Sequence, residues 1–227
     1  EGADAAGTLV IWYGNPSAET ASDGDATYEF FDQFDGPTLD TTKWNSNCAF
    51  TMSDGICTIT SGGWKGIATK AKFSGVLAEC RHRVATGSTS EVATMVGFSA
   101  LSSIDTGRSI YYSGGGSFIW PGGDSKPFAS GGVRNSYAIS RIIHASASNI
   151  LYNTAGNVRN EPALIGNYPF VINKAGSIAE SYDYVLVRAY SATPPAALTF
   201  SGERETASPL QPFPGCSNDP TDPDADG

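Results

Sequence analysis

Apolar and polar residues alternate over short stretches of this chain, and Gly, Asn and Asp break the alternation at frequent intervals. Thr8–Tyr13 is a β-branched and aromatic run closed by Gly14-Asn15-Pro16, which predicts a strand. In Tyr28–Phe34, Phe30, Asp32 and Phe34 fall on one face of an extended segment and Phe31 on the other. Cys48–Met52 and Ile56–Thr60 flank Asp54-Gly55, a strong hairpin signal. Further strands are predicted at Gly66–Phe73, Val76–Val84, Glu91–Ala100, Ser109–Tyr112, Ser117–Trp120, Tyr137–Ala145, Asn149–Asn153 and Tyr182–Tyr190. In the last of these, Tyr182, Tyr184, Leu186 and Arg188 take one side, and Asp183, Val185, Val187 and Ala189 the other. Asp40–Trp44 predicts one helical turn capped by Asp40. No amphipathic helix longer than about two turns is visible, so the pattern points to an all-β sandwich or jelly roll.

The length of 227 residues allows a sizeable core, since a chain of this size buries roughly 70% of its unfolded surface. Composition changes after Tyr190: Ser191–Gly227 holds 7 of the 13 prolines and almost no strand pattern. The expected organisation is an N-terminal strand and connector over 1–26, a β-domain over 27–190 and a Pro-rich acidic tail over 191–227. No internal repeat is present. Lys and Arg total 14 against 23 Asp and Glu, a net charge of −9. That balance argues against nucleic acid and against an anionic membrane surface. No apolar stretch approaches the ~20 residues of a transmembrane helix. The chain begins at Glu1 rather than Met and reads as a processed piece of a longer precursor. Cys48, Cys57, Cys80 and Cys216 form no C-x-x-C pair, and His82 and His144 are the two histidines, so zinc is poorly supported. The even cysteine count at wide spacing fits two disulfides in an oxidising compartment. The alternative is four buried free thiols, and three pairings are open.

Chemistry-bearing residues are sparse. There is no G-x-S-x-G elbow, and both histidines lie inside strand patterns, where a hydrogen-bonded structural role is the ordinary one. Trp64 stands among glycines, in Gly62-Gly63-Trp64-Lys65-Gly66. Tyr111, Tyr112 and Trp120 flank Gly114-Gly115-Gly116. Planar aromatics on glycine-flanked loops suit stacking on a sugar face. The competing reading places them in an ordinary aromatic core. Asp222, Asp224 and Asp226, with Gly227, reproduce the first half of an EF-hand-like calcium loop without its distal Glu. They read either as a solvated acidic tail or as the start of a calcium-ordered spacer.

Three segments carry a resemblance. "WYGNPSA" (Trp12–Ala18) followed by "DGDATYEFFDQFDG" (Asp23–Gly36) resembles a family of exported bacterial and archaeal proteins classed as a domain of unknown function. Its members carry a "YYGNP…SDGDATFEFFDDFDG" run. "FDQFDGPTLDTTKWN" (Phe31–Asn45) is similar to the opening of concanavalin A-like jelly rolls, including family 16 glycoside hydrolases. "SYDYVLVRAY" (Ser181–Tyr190) resembles their closing strand. The resemblance implies an all-β, concanavalin A-like jelly-roll sandwich of two antiparallel sheets, with Trp44 in its core. It implies a structural Ca²⁺ where the first and last strands meet, with Asp183 as the matching ligand; Asp32 and Asp35 lie near the opening strand and are added by inference. Family 16 enzymes carry E-x-D-x-x-E or E-x-D-x-E. Here Glu91 has no acidic partner two or four residues on, and Glu79 stands alone among Cys80-Arg81-His82-Arg83. No catalytic residue is therefore assigned. Members of the exported family also have β-structure before "YYGNP", which would leave Thr8–Tyr13 without its usual strand partner.

The expected function is a non-catalytic extracellular or cell-surface module, calcium-stabilised, that binds glycan or mediates adhesion. The alternative is a structural subunit of an extracellular filament that self-associates, or joins a neighbouring domain, by strand exchange through the N-terminal strand. A family-16-like hydrolase with a displaced acid pair is the third reading.

Overall fold

The computed structural model describes residues 23–83, 93–100, 103–113, 116–120, 126–130, 136–145, 148–152, 158–162, 165–176 and 179–192. The chain divides into Glu1–Ser191 and Ala192–Gly227. The second unit lies outside the described residues except for Ala192, and the strand expected at Thr8–Tyr13 lies outside them as well.

Within the first unit, short alternating segments pair into two antiparallel sheets. Strands are numbered in chain order. The eight-stranded sheet runs β13 (Val158–Pro162), β12 (Ser148–Tyr152), β11 (Tyr137–His144), β6 (Val76–Arg83), β15 (Glu180–Ala189), β4 (Ile56–Ile59), β3 (Phe50–Ser53); β1 (Phe30–Asp32) also pairs with β15. The seven-stranded sheet runs β10 (Lys126–Ser130), β9 (Gly116–Trp120), β8 (Ser103–Ser113), β7 (Ala93–Ala100), β14 (Phe170–Lys174), β5 (Lys65–Thr69), β2 (Trp44–Ser46). This is the expected all-β, concanavalin A-like jelly-roll sandwich. The facing sides contribute Ile67, Val96, Ile110 and Ile172 from one sheet and Ala78, Cys80, Ile142 and Val185 from the other. Phe30, Phe34 and Trp44 close one end, with Phe30 edge-on to Trp44 at 5.1 Å.

Local chemistry explains several elements. Asp54 and Gly55 both take positive φ, 53° and 72°, as the tight β3–β4 hairpin turn requires. Thr42 N donates to Asp40 Oδ1 at 2.8 Å, and Trp44 N to Asp40 O at 2.9 Å, closing the expected turn. The polar connector before Tyr28 contains a helix, α1 (Gly24–Thr27), because Asp23 accepts from Ala26 N and caps it.

Four strands carry no legible alternation. β14 is buried along its whole length, so its Phe170-Val171-Ile172 run shows no polar face. β10 and β13 are sheet edges containing proline and charge, the composition that blunts an edge. β2 has three residues. The predicted strand Gly66–Phe73 ends at Thr69, and Phe73 makes an isolated bridge to Tyr168.

Two expectations are corrected. β15 is not a simple alternation: the register against β6 shifts between Tyr182 and Tyr184. A bulge of this kind turns one residue out of the ladder and reverses the faces beyond it. Tyr182 therefore joins Val185 and Val187 in the core, while Tyr184 and Asp183 face outward. The two expected disulfides are also not formed. Two bonds among four cysteines need at least one among Cys48, Cys57 and Cys80, and all three are free. Cys57 and Cys80 sit on strands β4 and β6 with β15 between them, a spacing of ~9–10 Å that exceeds the ~7 Å reach of a disulfide. Burial pushes the Cys57 thiol up to about 12, which makes it an inert core group. Cys216 lies outside the described residues.

Candidate functional site

The opening turn gathers acid. Asp23, Asp25, Asp32, Asp35 and Asp40 line an open cleft of about 610 Å³ together with Lys43. Each carboxylate is engaged in holding the turn. Asp23 caps α1, and Asp25 takes Lys43 Nζ at 2.7 Å. Asp32 accepts from Phe34 N at 2.7 Å and from Trp44 Nε1 at 2.6 Å. Asp35 accepts from the Gln33 amide. Asp40 is held below its usual range by the Thr42 hydroxyl and backbone.

Asp183 lies elsewhere. The bulge turns it outward, where it pairs with Arg81. Asp32 pairs in register with core-facing Val185. Asp32 and Asp183 thus stand on opposite faces of the eight-stranded sheet, and Asp35 stays with Asp32. Among the described residues no group of three or more His, Cys, Asp or Glu is arranged to hold a metal. Asp32 and Asp183 do not fit one shared calcium site, because the sheet separates them; both oxygens of Asp32, and one oxygen each of Asp35 and Asp183, already accept bonds from the chain. Asp222, Asp224 and Asp226 lie outside the described residues. A thermal melt in Ca²⁺ against EGTA is expected to show no shift that Asp183→Ala removes; a shift lost in that variant would return the ion to the strand junction.

Trp64 is the aromatic candidate whose side chain is described. It precedes β5 with φ 56°, a left-handed backbone that is a genuine outlier for a bulky residue. Gly63, at φ 80°, donates its N–H to Ala175 O at 2.8 Å and anchors the loop to the end of β14. The residue is 37% exposed. Beside it, burial lowers the pKa of Lys174, whose ammonium donates to Ser61 O and Gly176 O.

For Tyr111, Tyr112 and Trp120 the strands are described and the side chains are not. Tyr111 is opposite Met95, Tyr112 opposite Thr94 and Trp120 opposite Ser109. Thr94 faces the core, where its hydroxyl meets Tyr182 OH at 2.7 Å, so position 112 falls on the core side. Positions 111 and 120 share the outer side with Met95, Gly97, Val171 and Asn173 by register. Trp120 on β9 and Trp64 beside β5 are four strands apart, or ~19 Å. They cannot clasp one sugar ring. The adjacent numbers 111 and 112 already carried this signal, since neighbours on a strand face opposite ways. Asn173 was not foreseen as a candidate. It is 0% exposed, and its amide has no hydrogen-bond partner among the described residues.

Both histidines are core groups, as expected. His82 Nε2 lies 2.9 Å from Ser140 Oγ, and His144 Nε2 3.0 Å from Gly166 O. The described parts of β5, β7 and β14 carry no carboxylate.

A family model described as a domain of unknown function, DUF2341, matches residues 1–47. The fold is that of sandwich glycosidases. Laminarinase from Flavobacterium sp. UMI-01 is 16% identical with a TM-score of 0.57, over 71% of this chain and 99% of that one. The endo-beta-1,3-glucanase of Pyrococcus furiosus is 11% identical with a TM-score of 0.54, over 70% and 93%. The GH43 protein BlXynB of Bacillus licheniformis is 15% identical with a TM-score of 0.54, and this chain spans 39% of it. Likeness at these identities shows a shared fold. No curated protein matches the chain in sequence. No helix among the described residues is long and apolar enough to cross a membrane.

Proposed function

We propose that this chain is a non-catalytic glycan-binding module of an exported, cell-surface protein. The observation that carries the reading is Trp64, a tryptophan kept 37% exposed by a left-handed backbone at the end of a sheet. Such a conformation costs on the order of 1–3 kcal/mol and survives where the surroundings impose it. An exposed indole stacks on the apolar face of a sugar. Retaining and inverting glycosidases both need two carboxyls beside the scissile bond. The described strands β5, β7 and β14 supply small residues, Met95 and the Asn173 amide instead. The names of the structural neighbours, a laminarinase and an endo-beta-1,3-glucanase, support a glycan as the ligand class.

Titration with a soluble β-1,3-glucan, followed by tryptophan fluorescence and calorimetry, tests the reading. Binding without release of reducing ends is expected. Trp64→Ala is expected to weaken it about tenfold, the worth of one good stacking contact. Equal binding by Trp64→Ala would remove the site. Sustained hydrolysis would overturn the non-catalytic assignment.

A further inference from the structure

The outer face of the eight-stranded sheet departs from the charge of the whole chain. Glu79, Arg81 and Arg83 alternate along β6 with core-facing Cys80 and His82. By register Arg141 of β11 sits opposite Glu79, and Arg188 of β15 opposite Leu77. On β6, β11 and β15 this face thus holds four arginines against two carboxylates, Glu79 and Asp183, on a chain of net charge −9. The guanidinium of Arg81 is clamped between the Asp183 carboxylate and the Tyr137 ring, 4.5 Å from the ring centroid. Arg141 gives Nε to Glu79 at 2.6 Å, and the other oxygen of Glu79 accepts from Tyr184 OH at 2.5 Å. Arg81 and Arg141 remain 41% and 48% exposed. Each spends one donor nitrogen on its partner carboxylate and keeps further N–H groups of its planar fork. Arg83 and Arg188 are exposed and unpaired among the described residues.

We propose that this face is a binding site for a linear polyuronate, an acidic polysaccharide with one carboxylate on each sugar. The inference rests on the glycan-binding reading and names a second subsite, cationic and on a different sheet from Trp64. From Arg83 to the level of Arg188 is six residues along β6, or ~20 Å, with cationic groups spaced at about two residues. A row of guanidinium forks over that length, the middle two held in place by Asp183 and Glu79, matches carboxylates repeated along an extended polymer, and guanidinium pairs with carboxylate in two parallel hydrogen bonds. Tyr137 and Tyr184 lie between the arginines and offer apolar ring surface, which sugars use. The net negative charge of the chain opposes every polyanion, and opposes most strongly duplex DNA, which carries one charge per ~1.7 Å of helix axis against one carboxylate per sugar in a polyuronate.

The probe is polygalacturonate, with the β-1,3-glucan as neutral comparison. Polygalacturonate is expected to bind the wild type at low salt. Binding should weaken about tenfold in Arg83→Ala/Arg188→Ala, the combined worth of two exposed ion pairs. It should weaken further as salt rises from ~0.1 to ~1 M, where the screening length falls from about 10 to about 3 Å. The double variant removes two exposed groups without described partners, so its melting temperature is expected to stay at the wild-type value. Arg141→Gln is the second variant, with the same direction of effect. Polygalacturonate binding that is absent, or equal in both variants, overturns the inference, as does tighter binding of duplex DNA or anionic vesicles than of polygalacturonate. Glucan binding lost in Trp64→Ala, without any uronate binding, would sink this face and leave the proposed function standing. No binding of either polymer would overturn both.

Discussion

Replacing Trp44 by alanine is expected to cost about 3–5 kcal/mol, the range for deleting a large buried aromatic. Trp44 is 2% exposed and packs edge-on to Phe30 at 5.1 Å and tilted over Phe34 at 5.9 Å. Its indole N–H is also the donor that Asp32 Oδ2 accepts, so the variant leaves a half-buried carboxylate oxygen unsatisfied. Domains of this size hold about 5–15 kcal/mol in total, and each kcal/mol moves the melting point by roughly 2–4 °C. Differential scanning calorimetry should therefore find a fall of roughly 6–20 °C. Trp44→Phe keeps most of the packing and loses the hydrogen bond, so its expected cost is about 1–2 kcal/mol. A Trp44→Ala protein melting within about 3 °C of wild type would mean that the opening turn does not close this end of the core.

The second large effect is acid instability centred on His82. The ring is fully buried, 2.9 Å from Ser140 Oγ and stacked on Tyr182 at 6.0 Å. Burial penalises the imidazolium and lowers its pKa to about 4. In the unfolded chain the group takes its proton near pH 6.5. Between those two values the unfolded state binds more protons than the folded one, so stability rises with pH. The contribution is complete above about pH 6.5 and disappears as the pH falls through about 4, an amplitude of about 3 kcal/mol. Carboxylates also titrate near the acid limit, so the comparison must be made with His82→Gln. That variant keeps a polar group toward Ser140 and removes the titration. Its stability is expected to vary less between pH 7 and pH 4.5 than that of wild type. Superimposable pH profiles would show that His82 is not the group responsible.

The sandwich was legible because its signals are local. Asp54-Gly55 announced the β3–β4 hairpin, and the alternation of Val76–Val84 and Tyr137–Ala145 announced two central strands. Buried β14 was not, since a strand covered on both faces has no polar phase to read. The site was less legible than the fold, for a related reason. The bulge at Asp183 adds one residue to β15, and no pattern in Ser181–Tyr190 marks where the phase slips. Everything downstream of that slip, including the partnership of Asp183 with Arg81 102 residues away, depends on packing between distant segments. By contrast, the arginine face was written in Glu79-Cys80-Arg81-His82-Arg83. Reading Glu79 as a solitary acid passed over the alternation that puts both arginines beside it.

Strand β15 also governs how the molecule can be made. One of its sides is covered by β6, and the other is shared between β4 and β1. Phe30 of β1 meets Val187 of β15 across 157 residues of sequence. Contacts of such separation demand that a long loop be closed before they reward the chain, which slows folding. During synthesis, β1, β4 and β6 wait without their common partner until nearly the whole first unit has emerged. Over that interval their open edges are exposed to other chains. Among the described strands, β15 is the one whose late arrival leaves the most edges open, so a chain cut short before Glu180 would lack the strand that joins β6 to β4 and β1.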